Sequence, residues 1–341
     1  MAFHGWPISQ CQSPSSPLST QLLGGIRVID IRLAVIPPPS PIFDPDVKHE
    51  LIAYHGLWPQ KTPFPAILND IHTFLTSPIG LKETVIMSIK QEDFAITPAP
   101  FFSKLVRETI AHSAGGWDDF KPTGRGINKG MWFLENRIPK LGEVRGKIVM
   151  LSRFGGNGSG WEGGLEGLGI HPTTWPDSEK NGFEWELKGT RVRTHDWYSI
   201  PSFFSIPEKV RLGTENLIPP SDSKKPVLPI TYFSAASFLA FPPTVAKGFG
   251  WPKWGLGVEG VNSKLGAWLL DQLGGDGATS YLNHANKRML SEKRHQEVIQ
   301  AEPRIRGWTF LDYYSEPEGG ELVPLLVECN FRGRKEGEEG W

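Results

Sequence analysis

The sequence predicts a single α/β barrel built on parallel strands. Three observations point there. Short β-branched runs alternate with helical stretches, no disordered linker or internal repeat divides the chain, and ionisable residues recur where the strands end. Barrel active sites lie at the C-terminal ends of strands, so the third observation bears on function as well as on architecture.

GIRVIDIRL (25–33) reads as a buried strand and ELIAYHG (50–56) as a second. FPAILNDIHTFLTS (64–77) carries apolar residues at helical spacing, ETVIMSIKQE (83–92) is a third strand, and FFSKLVRETIAHSA (101–114) is a second helix. GKIVMLSRF (146–154) is a fourth strand. The glycine-rich loop that follows it (155–169) lacks the lysine and hydroxyl pair of a phosphate-binding P-loop. DWYSI (196–200) is a short strand, PEKVRLGTENL (207–217) a helix and VLPITYFSAAS (227–237) a strand. SKLGAWLLDQL (263–273) and the polar stretch 281–301 are helical, RGWTFLDYYS (306–315) is a strand, and LVPLLVECNF (322–331) is the last apolar run. That makes about six or seven strands interleaved with helices.

Composition removes several function classes. The formal net charge of −1 over 341 residues gives no electrostatic reason to bind nucleic acid. Cys11 and Cys329 are too few for a disulfide framework, and a single bridge between them is not readable from sequence. No apolar run approaches the roughly 20 residues of a membrane helix. The start MAFHGWPISQCQ lacks the basic and apolar regions of a signal peptide, and the compartment stays open. A monomer without cofactor or metal is expected.

Asp30 and Arg32 flank Ile31, so strand alternation puts both on one face. Two charges in such an apolar strand need a partner or a task, and a buried ion pair is the plainer alternative. His55 ends the next strand before Gly56. Lys90 and Glu92 end the third, Arg153 the fourth, Asp196 and Tyr198 repeat the spacing of two, and Asp312 ends WTFLD. Each has a structural explanation on its own. Together they line the strand ends, and the cations Arg32, Lys90 and Arg153 suit an anionic substrate such as a phosphate.

GGIRVIDIRL, a strand ending in His-Gly, an amphipathic helix and then ETVIMSIKQE resemble the X region of phosphatidylinositol-specific phospholipase C. GKIVMLSRF, the Trp-Pro-Asp at 175–177, RTHDWYSI and GWTFLDYY continue the resemblance along essentially the whole chain, to the bacterial and fungal type. It implies one distorted TIM-type barrel of the phospholipase C-like phosphodiesterases over 1–341: an X-type region to about 155, the remainder over about 156–333, and a frayed tail at 334–341. It implies metal-independent cleavage of inositol phospholipids or glycosylphosphatidylinositols by two-histidine acid–base chemistry. His55 would be the general acid for the departing diacylglycerol oxygen and Arg32 the cation on the transition state, where animal enzymes use calcium. Asp30 would orient this machinery. Lys90, Arg153, Asp196 and Tyr198 would hold the inositol ring, and Asp312 would orient the first catalytic histidine.

Family members begin with a strand ending in a Gly-Thr-His-Asp-like motif that 1–341 lacks. The expectation is therefore a barrel missing its first strand, with a gap or a filler from segment 1–20 between the Asp30 and Asp312 strands. His4, the sole histidine before the Asp30–Arg32 strand, falls in a loop just after the absent pair. An inactive barrel that still binds inositol phosphate or membrane is the alternative function. A metal-dependent phosphodiesterase ranks third, because Arg32 stands where a metal-binding carboxylate belongs.

A lipid substrate requires a peripheral membrane surface. In 238–257, Phe249, Trp251 and Trp254, with Lys247 and Lys253 beside them and Phe3 and Trp6 elsewhere, would form an interfacial patch. Packing of the same rings onto the barrel is the equal alternative.

Overall fold

A computed structural model describes residues 9–39, 46–117, 129–159, 161, 163–220, 223–237, 240–252, 256–273, 304–316 and 322–332. The predicted helix at 281–301, the tail at 334–341, and His4, Phe3, Trp6, Lys253 and Trp254 lie outside the described residues. The chain divides into two compact units. Unit 1 is Met1–Asp177, Phe183–Val192 and Phe241–Pro243; unit 2 is Ser178–Gly182, Arg193–Ala240 and Thr244–Trp341.

Unit 1 opens with α1 (Leu18–Leu23), then β1 (Val28–Ile36), β2 (Glu50–His55), β3 (Trp58–Pro63), α2 (Phe64–Thr76), β4 (Thr84–Gln91), α3 (Ala99–His112), β5 (Trp132–Phe133) and β6 (Lys147–Arg153). The six strands form one sheet in the order β3-β2-β1-β4-β6-β5. Strands β1, β4, β6 and β5 run parallel, as the alternating pattern predicts. Ile29, Ile31 and Leu33 of β1, Val85, Met87 and Ile89 of β4, and Ile148 and Met150 of β6 are buried in one core. Helix α2 meets them with the stripe Phe64, Ile67, Leu68, Ile71, Phe74 and Leu75, at the spacing of one helical face, and α3 adds Phe102, Val106 and Ile110. The alternate residues of β1, β4 and β6 therefore face the other side of the sheet.

Strand β2 departs from the parallel scheme. It pairs antiparallel with β1, Leu33 opposite Ala53 and Ile36 opposite Glu50, and turns directly into the antiparallel β3. The turn begins at Gly56, whose φ of 58° is left-handed and suits glycine. His55 is thus carried by a hairpin turn and does not end a parallel strand. Among the described residues, Val28–Arg32 of β1 are paired in the sheet with β4 only, Leu33 pairs with both β4 and β2, and Ala34–Ile36 pair with β2.

A hairpin, β7 (Phe183–Leu187) and β8 (Thr190–His195), leads from unit 1 into unit 2. In unit 2, the end of β8 lies beside β9 (Val227–Tyr232). Strand β9 pairs in parallel with β12 (Trp308–Phe310). The helices of unit 2 among the described residues are α4 (Ile206–Asn216), α6 (Val261–Leu273) and α7 (Leu322–Glu328), with α5 (Pro242–Lys247) from Thr244 onward. Ile206, Val210 and Leu217 meet Phe233, Val261, Leu265, Leu269 and Leu322 in a second core. Three expectations change here. DWYSI is a connection with one isolated bridge, Ser199 to Ala236, because β8 ends at His195. Segment 238–257 contains α5 and the two-stranded ribbon β10 (Gly248–Trp251) and β11 (Leu256–Glu259). The last apolar run is the helix α7.

Candidate active site

The strand register of unit 1 builds the site. Arg32 of β1 stands opposite Lys90 of β4, and Lys90 stands opposite Arg153 of β6. Three cations thus form one row across three neighbouring parallel strands, on the face turned away from the core helices. One register step earlier, Asp30 stands opposite Ser88.

Like charges on adjacent strands repel, and two carboxylates hold the row together. Asp30 Oδ2 accepts from Arg32 Nε at 3.1 Å, and Asp30 Oδ1 accepts from Ser88 Oγ at 2.6 Å and lies 3.7 Å from Arg153 Nη1. Glu92, just beyond β4, lies 3.4 Å from Arg32 Nη1 and 2.9 Å from Lys90 Nζ, and accepts the Gly56 amide at 2.8 Å. Burial by itself would raise the Asp30 carboxyl. Arg32, Arg153 and the Ser88 hydrogen bond outweigh that and bring it down to about 2. Glu92 follows the same logic: burial raises it, Arg32 and Lys90 lower it further, and it stays ionised. Lys90 is pushed down by burial and by Arg32, against the pull of Glu92. Three cations against two carboxylates leave the row with an excess positive charge. Arg153 also stacks on Trp175, its guanidinium 4.0 Å from the ring centroid, which fixes its planar fork.

The Gly56–Glu92 hydrogen bond ties the β2–β3 turn to this row and brings His55 beside it. The ring is half-buried, and its Nδ1 lies 2.7 Å from the Ser9 carbonyl. Burial and the Arg32 charge lower its pKa, while the Ser9 carbonyl and Glu92 raise it. Cys11 Sγ is 3.6 Å from His55 Nδ1. Unit 1 therefore gathers His55, Arg32, Asp30, Lys90 and Arg153. Glu92, at the strand end beside Lys90, is the member whose bridging position the sequence did not reveal. Ser9 and Cys11, in polar loop sequence, carried no signal.

Asp196, Tyr198 and Asp312 lie in unit 2. Asp196 follows β8 and is buried, and Asp312 follows β12 and is buried. Tyr198 is anchored through its backbone, whose carbonyl accepts the Ala236 amide at 2.8 Å. Lys209 of α4, 0 % exposed, donates to the Tyr232 carbonyl at 2.5 Å. Burial lowers its pKa to about 7 against the raising pull of Asp196 and Asp312. Burial, helped by the Lys209 charge, holds His195 at about 3. Lys209 was readable only as a helix residue, yet it occupies the apolar stripe of α4, one place before Val210. Among the described residues no group of three or more His, Cys, Asp or Glu is placed to hold a metal ion.

On the β10–β11 ribbon, Phe249 is exposed but meets Phe203 edge-on at 5.3 Å, and Trp251 is 69 % exposed. Lys247 is engaged with Glu316 at 3.3 Å and lies over the Tyr313 ring. No helix among the described residues is long and apolar enough to cross a membrane.

Neither family models nor curated proteins match the chain. Solved structures do. A phosphatidylinositol-specific phospholipase C from Staphylococcus aureus, studied for the modulation of its membrane binding, superposes with a TM-score of 0.58 at 19% identity, over 94% of this chain and 84% of that one. The phosphatidylinositol-specific phospholipase C from Listeria monocytogenes gives a TM-score of 0.51 at 20% identity, over 95% and 85%. These neighbours are TIM barrels, and the chain has the fold of the bacterial phosphatidylinositol-specific phospholipases C.

Proposed function

We propose that the chain is a phosphatidylinositol-specific phospholipase C-like phosphodiesterase that cleaves the glycerol–phosphate bond of inositol phospholipids or glycosylphosphatidylinositols. The in-register row Arg32–Lys90–Arg153 carries this reading. A row of cations with two carboxylates is suited to a singly charged phosphodiester. Arg32, fixed by Asp30 and Glu92, is pre-oriented for the charge that grows on the phosphoryl oxygens in the transition state. The inositol 2-hydroxyl oxygen bonds to phosphorus, the bond from phosphorus to the glycerol oxygen breaks, and His55 gives its Nε2 proton to that oxygen. By the family resemblance Asp312 matches the carboxylate that orients the histidine taking the 2-hydroxyl proton, a histidine with no counterpart in 1–341, and Lys90, Arg153, Asp196 and Tyr198 match the residues that hold the inositol hydroxyls. Arg32 supplies a fixed charge, so turnover needs no metal. Trp251 and Phe249, with Trp254, meet the lipid surface.

A second reading, a protein that binds inositol phosphate without turning it over, is favoured by the single histidine that meets the row among the described residues. One experiment separates the two. The purified chain is mixed with phosphatidylinositol vesicles in chelator and soluble products are followed by phosphorus NMR. Release of inositol cyclic phosphate supports the enzyme. Binding of inositol phosphate without release supports the second reading, and absence of both sinks the two together. Turnover that appears only with added calcium would transfer the charge-stabilising task from Arg32 to a metal.

A further inference from the structure

The nitrogen that His55 uses is set by groups outside the cation row. A carbonyl oxygen only accepts hydrogen bonds, so the Ser9 carbonyl at 2.7 Å requires the hydrogen on Nδ1 and leaves Nε2 as the nitrogen that exchanges a proton. Ser9 is itself buried and anchored. Its Oγ accepts from Gln60 Nε2 at 3.0 Å, and the same amide nitrogen donates to the Trp58 carbonyl at 3.1 Å. Gln60 is 0 % exposed and stands on β3, whose Trp58 is the strand partner of His55. A glutamine with no water contact makes sense only where its amide is matched. Here its donors tie the Ser9 loop to the strand that leads away from His55. Among the described residues, the charged and titratable groups acting on the ring are Arg32 from β1, Glu92 from the end of β4 and Cys11 from the Ser9 loop.

We propose that Gln60 is a positioning residue: through Ser9 it holds the carbonyl that fixes the His55 tautomer and aims Nε2 at the leaving oxygen. This deepens the phosphodiesterase reading, which supplies the leaving oxygen, but the tautomer can be read without turnover.

The test uses the full chain with Gln60→Leu, Ser9→Ala and Ser9→Thr. Nitrogen-15 imidazole spectra of the wild-type chain should show neutral His55 protonated at Nδ1. Gln60→Leu and Ser9→Ala should mix the two tautomers and lower the His55 pKa by about one unit, as expected when a hydrogen bond to the cationic ring is loosened. Ser9→Thr, which keeps the hydroxyl, should retain the wild-type spectrum. Should Gln60→Leu fail to fold, Ser9→Ala carries the test. A folded Ser9→Ala chain with an unchanged tautomer and pKa overturns the proposal. A tautomer change in a chain that never turns over phosphatidylinositol leaves the proposal standing and counts against the phosphodiesterase reading alone.

Discussion

The two units solve the burial of charge in opposite ways. Unit 1 spreads its ionisable groups along a sheet face, where every cation of the row meets Asp30 or Glu92. Unit 2 seals one lysine in its interior beside a carbonyl, with two buried aspartates acting on it through space. The first arrangement keeps its groups charged and half-open, which suits direct contact with an anion. The second makes protonation of Lys209 costly and therefore sensitive to its surroundings.

If the sheet face of unit 1 does the charge stabilisation, Arg32→Met should have the largest effect of any single change outside His55. Turnover should fall by about 100- to 1000-fold with a smaller change in KM. Steady-state kinetics on a soluble inositol cyclic phosphate measures this, and an equal loss in Asp196→Asn would erase the contrast between the units.

Acid and alkaline titrations sharpen the comparison next. The Asp30 pKa falls from 3.8 to about 2 on folding, so its contribution is present above pH 3.8 and is lost as the pH falls through about 2. The shift corresponds to about 2 kcal/mol, and Asp30→Asn should remove it from the acid limb of a urea-melt series. Lys209 runs the other way. Its folded pKa of about 7 lies below the ordinary lysine value of 10.5, so the unfolded chain binds more protons between those values and stability rises with pH across that window. Lys209→Met should flatten the rise. A variant that keeps the wild-type slope between pH 7 and 10 would show that Lys209 is not the group responsible.

The smallest effect belongs to the ribbon. Trp251→Ala should weaken partition onto phosphatidylinositol vesicles by about tenfold, the scale of burying one exposed aromatic ring. Hydrolysis of soluble substrate should stay as in the parent chain. Equal losses on both substrates would assign the ring to packing.

The same contrast explains what the sequence disclosed. Strand alternation places Asp30 and Arg32 on one face, and the β1–β4–β6 register does the rest, since Lys90 and Arg153 end runs that the β-branched pattern already marks. Direction was not legible: β2 carries the same kind of apolar run as the parallel strands β1, β4 and β6, yet it pairs antiparallel with β1 and turns at Gly56 into the antiparallel β3. Strands β7 and β8 escaped because FEWEL and TRVRTH mix charge with alternation, and the β10–β11 ribbon was hidden by its glycines. Lys209 was missed because a lysine on an amphipathic helix is ordinarily taken for its wet side. Its position on the stripe with Ile206 and Val210 was the available signal.

The aligned cations have a thermodynamic consequence as well as a chemical one. Side by side on three strands, they work against the pairing of the sheet that displays them, and the two carboxylates offset this only in part. An anion seated on the row relieves that repulsion and binds the folded chain alone, so it acts as a component of the folding equilibrium. At a hundred times its dissociation constant such a ligand adds about 2.7 kcal/mol to stability. If phosphate-like anions seat on the row, the melting temperature should rise with their concentration even where no bond is cleaved, and a thermal melt at increasing phosphate measures this.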